Sequence, residues 1–213
     1  MKHSLLWISL VLACASSARA GAQYIFMDAS GDGLCGPDYL PSADPPVDVY
    51  LDTSENADGT SASCPGGEPL SMSWYEIVFR GQSAPPGAYV DFGTWTNGVG
   101  SFTVDMGEAR GGNEFRVGFA AANPADFLPP GRYKLGTLTV TMTGCSSLGF
   151  GTSSPLGSSF VTGFYSQCPG KDAEYLIKLG TDFDSNCGVI RALCSPAEDG
   201  TTTTWGKIKL LYR

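Results

Sequence analysis

The chain has 213 residues, 42% hydrophobic, 11% aromatic and only 16% charged, with 28 glycines, 14 prolines and seven cysteines. Charged residues fall well below the roughly 25% of an ordinary soluble domain and glycine well above its usual ~7%, which excludes a coiled coil, a helical bundle and charge-rich disorder. The mix suits a turn-dense, all-β exported domain, and a net charge of −8 argues against nucleic acid or an anionic membrane surface as partner.

Residues 1–20 read as a signal peptide. Lys2 supplies the positive start, Leu5–Ala13 the apolar stretch and Ala18-Arg19-Ala20 a cleavage site. The apolar run is too short to span a bilayer, and no later run reaches ~18 apolar residues. The alternative is a lipoprotein acylated on Cys14, although Leu12 fits that consensus poorly. Cleavage after Ala20 removes Lys2 and Arg19 but no acid, leaving 11 cations against 21 acids, a net charge of −10. It also removes His3, the only histidine, so no imidazole is left for a Ser-His-Asp site, a Cys-His site or a zinc ligand. Six cysteines remain: Cys35, Cys64, Cys145, Cys168, Cys187 and Cys194. An even count in an exported chain points to three disulfides. Sequence proximity favours Cys35–Cys64, Cys145–Cys168 and Cys187–Cys194 among the possible pairings. The absence of any C-x-x-C spacing disfavours a metal–thiolate cluster.

Strand signals recur along the chain with turns between them. Val47–Asp52 alternates with Val47, Val49 and Leu51 on one face, and Trp74–Phe79 does the same with Tyr75, Ile77 and Phe79. Tyr89–Trp95 and Ser101–Asp105 flank Asn97-Gly98, which predicts a type I′ hairpin because both central residues of that turn need positive φ. Glu114–Ala120 alternates Phe115, Val117 and Phe119. Pro129-Pro130-Gly131 then breaks the chain before a β-branched strand over Tyr133–Thr141. Further strands are expected at Phe160–Tyr165, Tyr175–Leu179 and Val189–Leu193. No stretch shows helical periodicity with caps, and strands at this spacing read as a β-sandwich. The expected layout is a disulfide-stabilised sandwich over 21–194, a polar linker over 195–204 and a separate segment over 205–213.

The runs VDVYLDT (47–53), SMSWYEIVF (71–79) and PPGRYKLGTLTVTM (129–142) resemble cohesin-like, carbohydrate-binding-module-like β-sandwich modules of bacterial extracellular proteins. The likeness covers roughly residues 45–145 and is a pattern rather than a signature motif. It implies a nine-stranded sandwich of jelly-roll type with a role in extracellular binding. The chain departs from the family in its cysteines and in the added β-rich stretch 146–194.

Asp28-Ala29-Ser30-Gly31-Asp32-Gly33 places side-chain oxygens at positions 1, 3 and 5 and glycine at 6, the opening of a calcium loop. An EF-hand would carry Glu at position 12, where this chain has Tyr39, with Asp38 one place early. Prolines 37, 41, 45 and 46 forbid a following helix. The segment therefore resembles the first half of a dockerin-type or thrombospondin-type Asp loop; an Asx turn that merely solvates carboxylates is the alternative. Asp52, Ser54, Asn56 and Asp58, closed by Gly59, repeat the alternate spacing. A Cys35–Cys64 bridge would draw the two loops together into possible shared calcium coordination.

Glu76, Asp91, Asp105 and Glu114 are the acids from which a glycosidase pair could come, given a separation of ~5–9 Å. Trp74, Trp95 and Tyr89 could form a sugar-stacking platform, although alternation assigns most aromatics to the core. In 205–213, Ile208, Leu210 and Tyr212 alternate with Lys207, Lys209 and Arg213, giving a basic amphipathic strand. It resembles short sorting segments of exported bacterial β-rich proteins and could equally be a last edge strand. The expected function is a secreted or surface-displayed, non-catalytic binding or adhesion module for an extracellular protein or polysaccharide. A carboxylate-dependent glycosidase is the enzyme class kept open.

Overall fold

The structure, a computed structural model, describes residues 24–34, 39–40, 46–54, 63–64, 67–83, 87–151, 161–167, 174–178 and 189–192. The expected signal peptide, linker and basic segment lie outside these residues, as do Asp38, Asn56, Asp58, Cys35, Cys168, Cys187 and Cys194. Apart from a 3₁₀ turn at Pro124–Asp126, every described element is a strand. Among the described residues no helix is long and apolar enough to cross a membrane.

Two sheets form. The first is antiparallel, in the spatial order β1 (Tyr24–Asp28), β3 (Pro46–Asp52), β8 (Arg132–Thr143), β5 (Tyr89–Asn97). The second is built on β4 (Ser71–Ser83), which has β7 (Glu114–Ala120) and then β6 (Val104–Gly111) on one side. The other side of β4 is shared end to end by β9 (Ser146–Phe150) and β10 (Gly163–Gln167). Beyond them lie β12 (Val189–Ala192), which pairs with β9, and β11 (Glu174–Lys178), which pairs with β10. The short β2 (Tyr39–Leu40) joins β12 in parallel.

Each sheet buries the apolar face that its period-two pattern creates. Val47, Val49 and Leu51 of β3 meet Tyr75, Ile77 and Phe79 of β4, all fully buried, in one core with Phe102, Phe115, Val117, Leu138 and Val140. The parity changes at two places. In β8 the inward residues run Tyr133, Leu135, then Leu138, Val140, Met142, and the ladder with β3 slips where Val49 meets Gly136 and Tyr50 meets Lys134. In β5 they run Val90, Phe92, then Trp95, with a slip between Phe92 and Trp95. A three-residue step between inward side chains requires an extra residue, which is what a β-bulge supplies.

β9 and β10 are one strand interrupted. Phe150 pairs with Phe79 and Gly163 with Glu76, so the chain leaves the edge of β4 and returns to it within three ladder positions. The base of the excursion is closed at Val78. Gly151 N–H donates to Val78 O (2.7 Å), Val78 N–H donates to Thr162 Oγ1 (3.0 Å), and that hydroxyl donates to Gly151 O (2.5 Å).

The Asn97-Gly98 hairpin does not form. β5 belongs to the first sheet and β6 to the second, so the chain crosses between sheets through residues 98–103. Asn97 caps this crossing. Its Oδ1 accepts from Val99 N–H (3.1 Å) and Nδ2 donates to Val99 O (3.1 Å) and Phe102 O (2.7 Å). The strand expected at Ser101–Asp105 begins instead at Val104 and runs to Gly111, and the one expected from Phe160 begins at Gly163.

Candidate functional site

The Asp28 loop folds around its own carboxylate. Asp28, at the end of β1, is buried, and its Oδ1 accepts from Ser30 Oγ (2.9 Å) and Gly31 N–H (2.7 Å) while Oδ2 accepts from Gly33 N–H (2.6 Å). Gly31 and Gly33 both hold positive φ, at 77° and 71°, which explains why glycine alternates through this loop. Burial by itself would raise the Asp28 pKa. The Gly33, Gly31 and Ser30 donors outweigh it and hold the carboxyl below its ordinary value. Asp32 is exposed and turns away, accepting from Leu34 N–H (2.7 Å).

Arg132, at the start of β8, ties the loop to the outer face of the first sheet. Its guanidinium lies over the rings of Phe26 (4.8 Å) and Tyr50 (5.4 Å), which stack at 5.1 Å, and it donates to Gly33 O. Spacing rules gave no hint of this residue. The structure brings Asp28 and Ser30 together and leaves Asp32 outside.

The second loop begins elsewhere. Asp52 Oδ1 accepts from Ser54 N–H (2.9 Å) and Ser54 Oγ (2.5 Å). In the β1–β3 ladder Asp28 pairs with Asp48 and Tyr24 with Asp52, so the two aspartates sit four positions apart, about 13 Å along the strands. Among the described residues no three His, Cys, Asp or Glu side chains gather as a metal-binding group. Cys64 and Cys145 are each disulfide-bonded.

The outer face of the second sheet has a different character at each end. At one end Tyr165, Trp74, Ala120 and Val104 form a row across β10, β4, β7 and β6. Trp74 packs against Tyr165 with ring centroids 3.9 Å apart, and its indole Nε1 is buried without a hydrogen-bond partner. The small side chains of Ala120–Ala122 leave a cleft of about 280 Å³, walled by Ser73, Trp74, Met106, Asn123, Pro124 and Phe127. Beside it Val104 and Met106 are exposed, at 40% and 38%. At the other end Arg80 and Glu114 form an ion pair at 2.6 Å.

Glu76 lies between these ends with glycine on both sides, Gly163 on β10 and Gly118 on β7. It is buried despite facing outward, and burial raises its pKa; a hydrogen bond from Val161 N–H (3.2 Å) and the charge of Arg116 pull in the opposite direction. The candidate acids are dispersed. Glu76 and Glu114 are four ladder positions apart, about 13 Å along the strand, and Glu114 is held by Arg80. Asp91 is on the first sheet, and Asp105 accepts from Gly107 N–H (2.8 Å) on β6.

The expected aromatic platform is not assembled either. Trp95 points into the core against Phe79 (5.7 Å), Tyr89 is exposed on the first sheet, and only Trp74 faces out of the second. Neither a family model nor a curated protein matches this chain.

Proposed function

We propose that the protein is an exported, non-catalytic binding module of cohesin-like type that engages an extracellular protein or polysaccharide through the outer face of its second sheet. The observation that carries this reading is the apolar end of that face. Two half-exposed apolar side chains, Val104 and Met106, stand beside a cleft that Trp74 helps to line, and a concave site with apolar walls and a few polar groups is where a ligand or partner side chain is most readily buried. The two-sheet architecture agrees with the sandwich that the family resemblance implies. The jelly-roll type, a framework of three disulfides, and signal-peptide export with Cys14 lipidation as its alternative belong to the same proposal. Residues 205–213 are proposed as a docking or sorting segment.

Calcium is proposed as a stabiliser of the Asp28 loop, with Asp28, Ser30, Asp32 and Asp38 as its oxygen donors; binding would require Asp32 to release Leu34 N–H and turn inward. If it binds, Ca²⁺ added to a chelated sample raises the melting temperature by mass action, and Asp32→Ala abolishes the rise. A melting curve that ignores millimolar Ca²⁺ removes this part.

Carbohydrate is a second reading for the same face, favoured by an indole beside two polar side chains, Ser73 and Asn123, since one aromatic plane with a few polar groups suits a sugar ring. Affinity electrophoresis against a panel of polysaccharides, with wild type, Trp74→Ala and Met106→Asp, tests it. Retardation lost in both variants with an unchanged melting temperature supports a ligand on this face; retardation unaffected by either moves the site elsewhere. Polysaccharide turnover that Glu76→Gln abolishes would instead establish a glycosidase.

A further inference from the structure

We propose that Asn97 is a modification site gated by the fold: while the 97–102 crossing is closed its amide is protected, and only while it is open can the amide lose ammonia, after which the crossing cannot close again. Asparagine followed by glycine is a chemically labile pair because glycine has no Cβ to shield its amide nitrogen. The nitrogen of Gly98 attacks Asn97 Cγ, a C–N bond forms, and the side-chain nitrogen leaves as ammonia. Water then opens the five-membered imide at either carbonyl, leaving aspartate or isoaspartate. Water is the sole co-reactant.

The native geometry blocks the attack at both partners. Gly98 N–H is committed to Leu135 O at 2.8 Å, so its nitrogen is held against the neighbouring strand. The Asn97 amide is fixed on both sides, by Val99 N–H and the Tyr75 hydroxyl (2.9 Å) on Oδ1 and by the Val99 and Phe102 carbonyls on Nδ2. Tyr75 is fully buried, and Val99 and Phe102 are 6% and 1% exposed. Rotation of the amide toward Gly98 would break these bonds inside the core.

Both members of the labile pair are required by packing. A Cβ on residue 98 would lie 2.8 Å from Lys134 O and 3.2 Å from Gly136 Cα, so no larger residue fits. At 97, a single side chain must offer two donors and an acceptor, which an aspartate cannot do. A carboxylate there would face the Val99 and Phe102 carbonyls with no proton to give, and isoaspartate would also lengthen the backbone. An opening during which the imide forms is therefore irreversible, while all others close again.

The test uses the full chain with disulfides intact, held at neutral pH with and without urea, then digested and mapped by mass spectrometry for the one-unit mass gain at Asn97. Exchange of the Gly98 and Val99 amides is followed in parallel. The expected result is native conversion slower by at least about 100-fold, because only the opened fraction reacts, and rising in step with amide exchange as sub-denaturing urea is added. Conversion in the native protein within a few-fold of the denatured rate overturns the gating. Asn97→Asp tests the one-way step: loss of protection at Gly98 and Val99, or failure to fold, supports it, whereas wild-type protection there overturns it.

Discussion

Asp28 and Glu76 are both buried carboxylates, yet their surroundings push them in opposite directions. Asp28 is held below its ordinary pKa, so the native state binds fewer protons than the unfolded chain. Its contribution is fully present above the unfolded value and drains away as pH falls toward the folded one. Asp28→Ala leaves the Gly31 and Gly33 amides without their acceptor, and a loss of about 1–3 kcal/mol is expected in urea denaturation at neutral pH. The deficit should narrow in acid. Glu76 is raised instead, so the native state holds its proton to higher pH, and stability falls as pH rises from the ordinary carboxylate value through the raised one. Glu76→Gln keeps an acceptor for Val161 N–H and removes the charge. It should melt higher than wild type at neutral pH and lose that advantage in acid; a lower melting temperature at neutral pH would mean that Arg116 outweighs burial. Neither carboxylate's environment was legible in the sequence. Glu76 read as an outward position on an alternating strand, and its burial depends on Val161, 85 residues further along.

At the scale of the element, alternation was the most reliable signal. Val47–Leu51, Tyr75–Phe79 and Phe115–Val117 point inward as their spacing requires. The parity breaks between Leu135 and Leu138 and between Phe92 and Trp95 are also written in the sequence, as a three-residue step between apolar positions that only a bulge can accommodate. Gly136 sits at one of them, beneath Trp95. A Cβ there would lie 2.3 Å from the indole and 2.5 Å from Thr96 O. Because the backbone carbonyl cannot rotate away as a side chain would, Gly136→Ala should cost at least about 1–3 kcal/mol, read from the shift in denaturation midpoint. Thr162→Val keeps the shape and deletes the hydroxyl that bridges Val78 and Gly151. A loss of about 1–3 kcal/mol is expected, with faster exchange of the Val78 amide and little change in β5–β8.

For the whole molecule, strand positions were readable but sheet membership was not. Asn97-Gly98 looks like a hairpin locally, yet β8 already occupies the inner edge of β5, and β6 is recruited by β7 in the other sheet. Local turn chemistry cannot encode that competition. The cleft leaves no local signal for a related reason: Ser73, Met106 and Phe127 meet only through tertiary packing. Charge offers a test of the molecule's modular layout. Residues 205–213 contribute three cations to a chain of net −8; if they are the separable segment proposed, deletion from Ser195 should leave the melting temperature nearly unchanged while altering where the protein accumulates. A loss of several kcal/mol, on the scale of a buried strand's apolar contacts, would instead assign the segment to the sandwich. The interrupted strand on β4 carries a last consequence, for protein engineering. Because the chain departs at Gly151 and rejoins at Thr162 beside the same residue, Val78, the two ends are fastened before anything between them is specified. Doubling the length of a flexible insert between them should cost only about 0.6 kcal/mol, so a foreign peptide placed there should leave the pairing of Phe150 with Phe79 and of Gly163 with Glu76 intact.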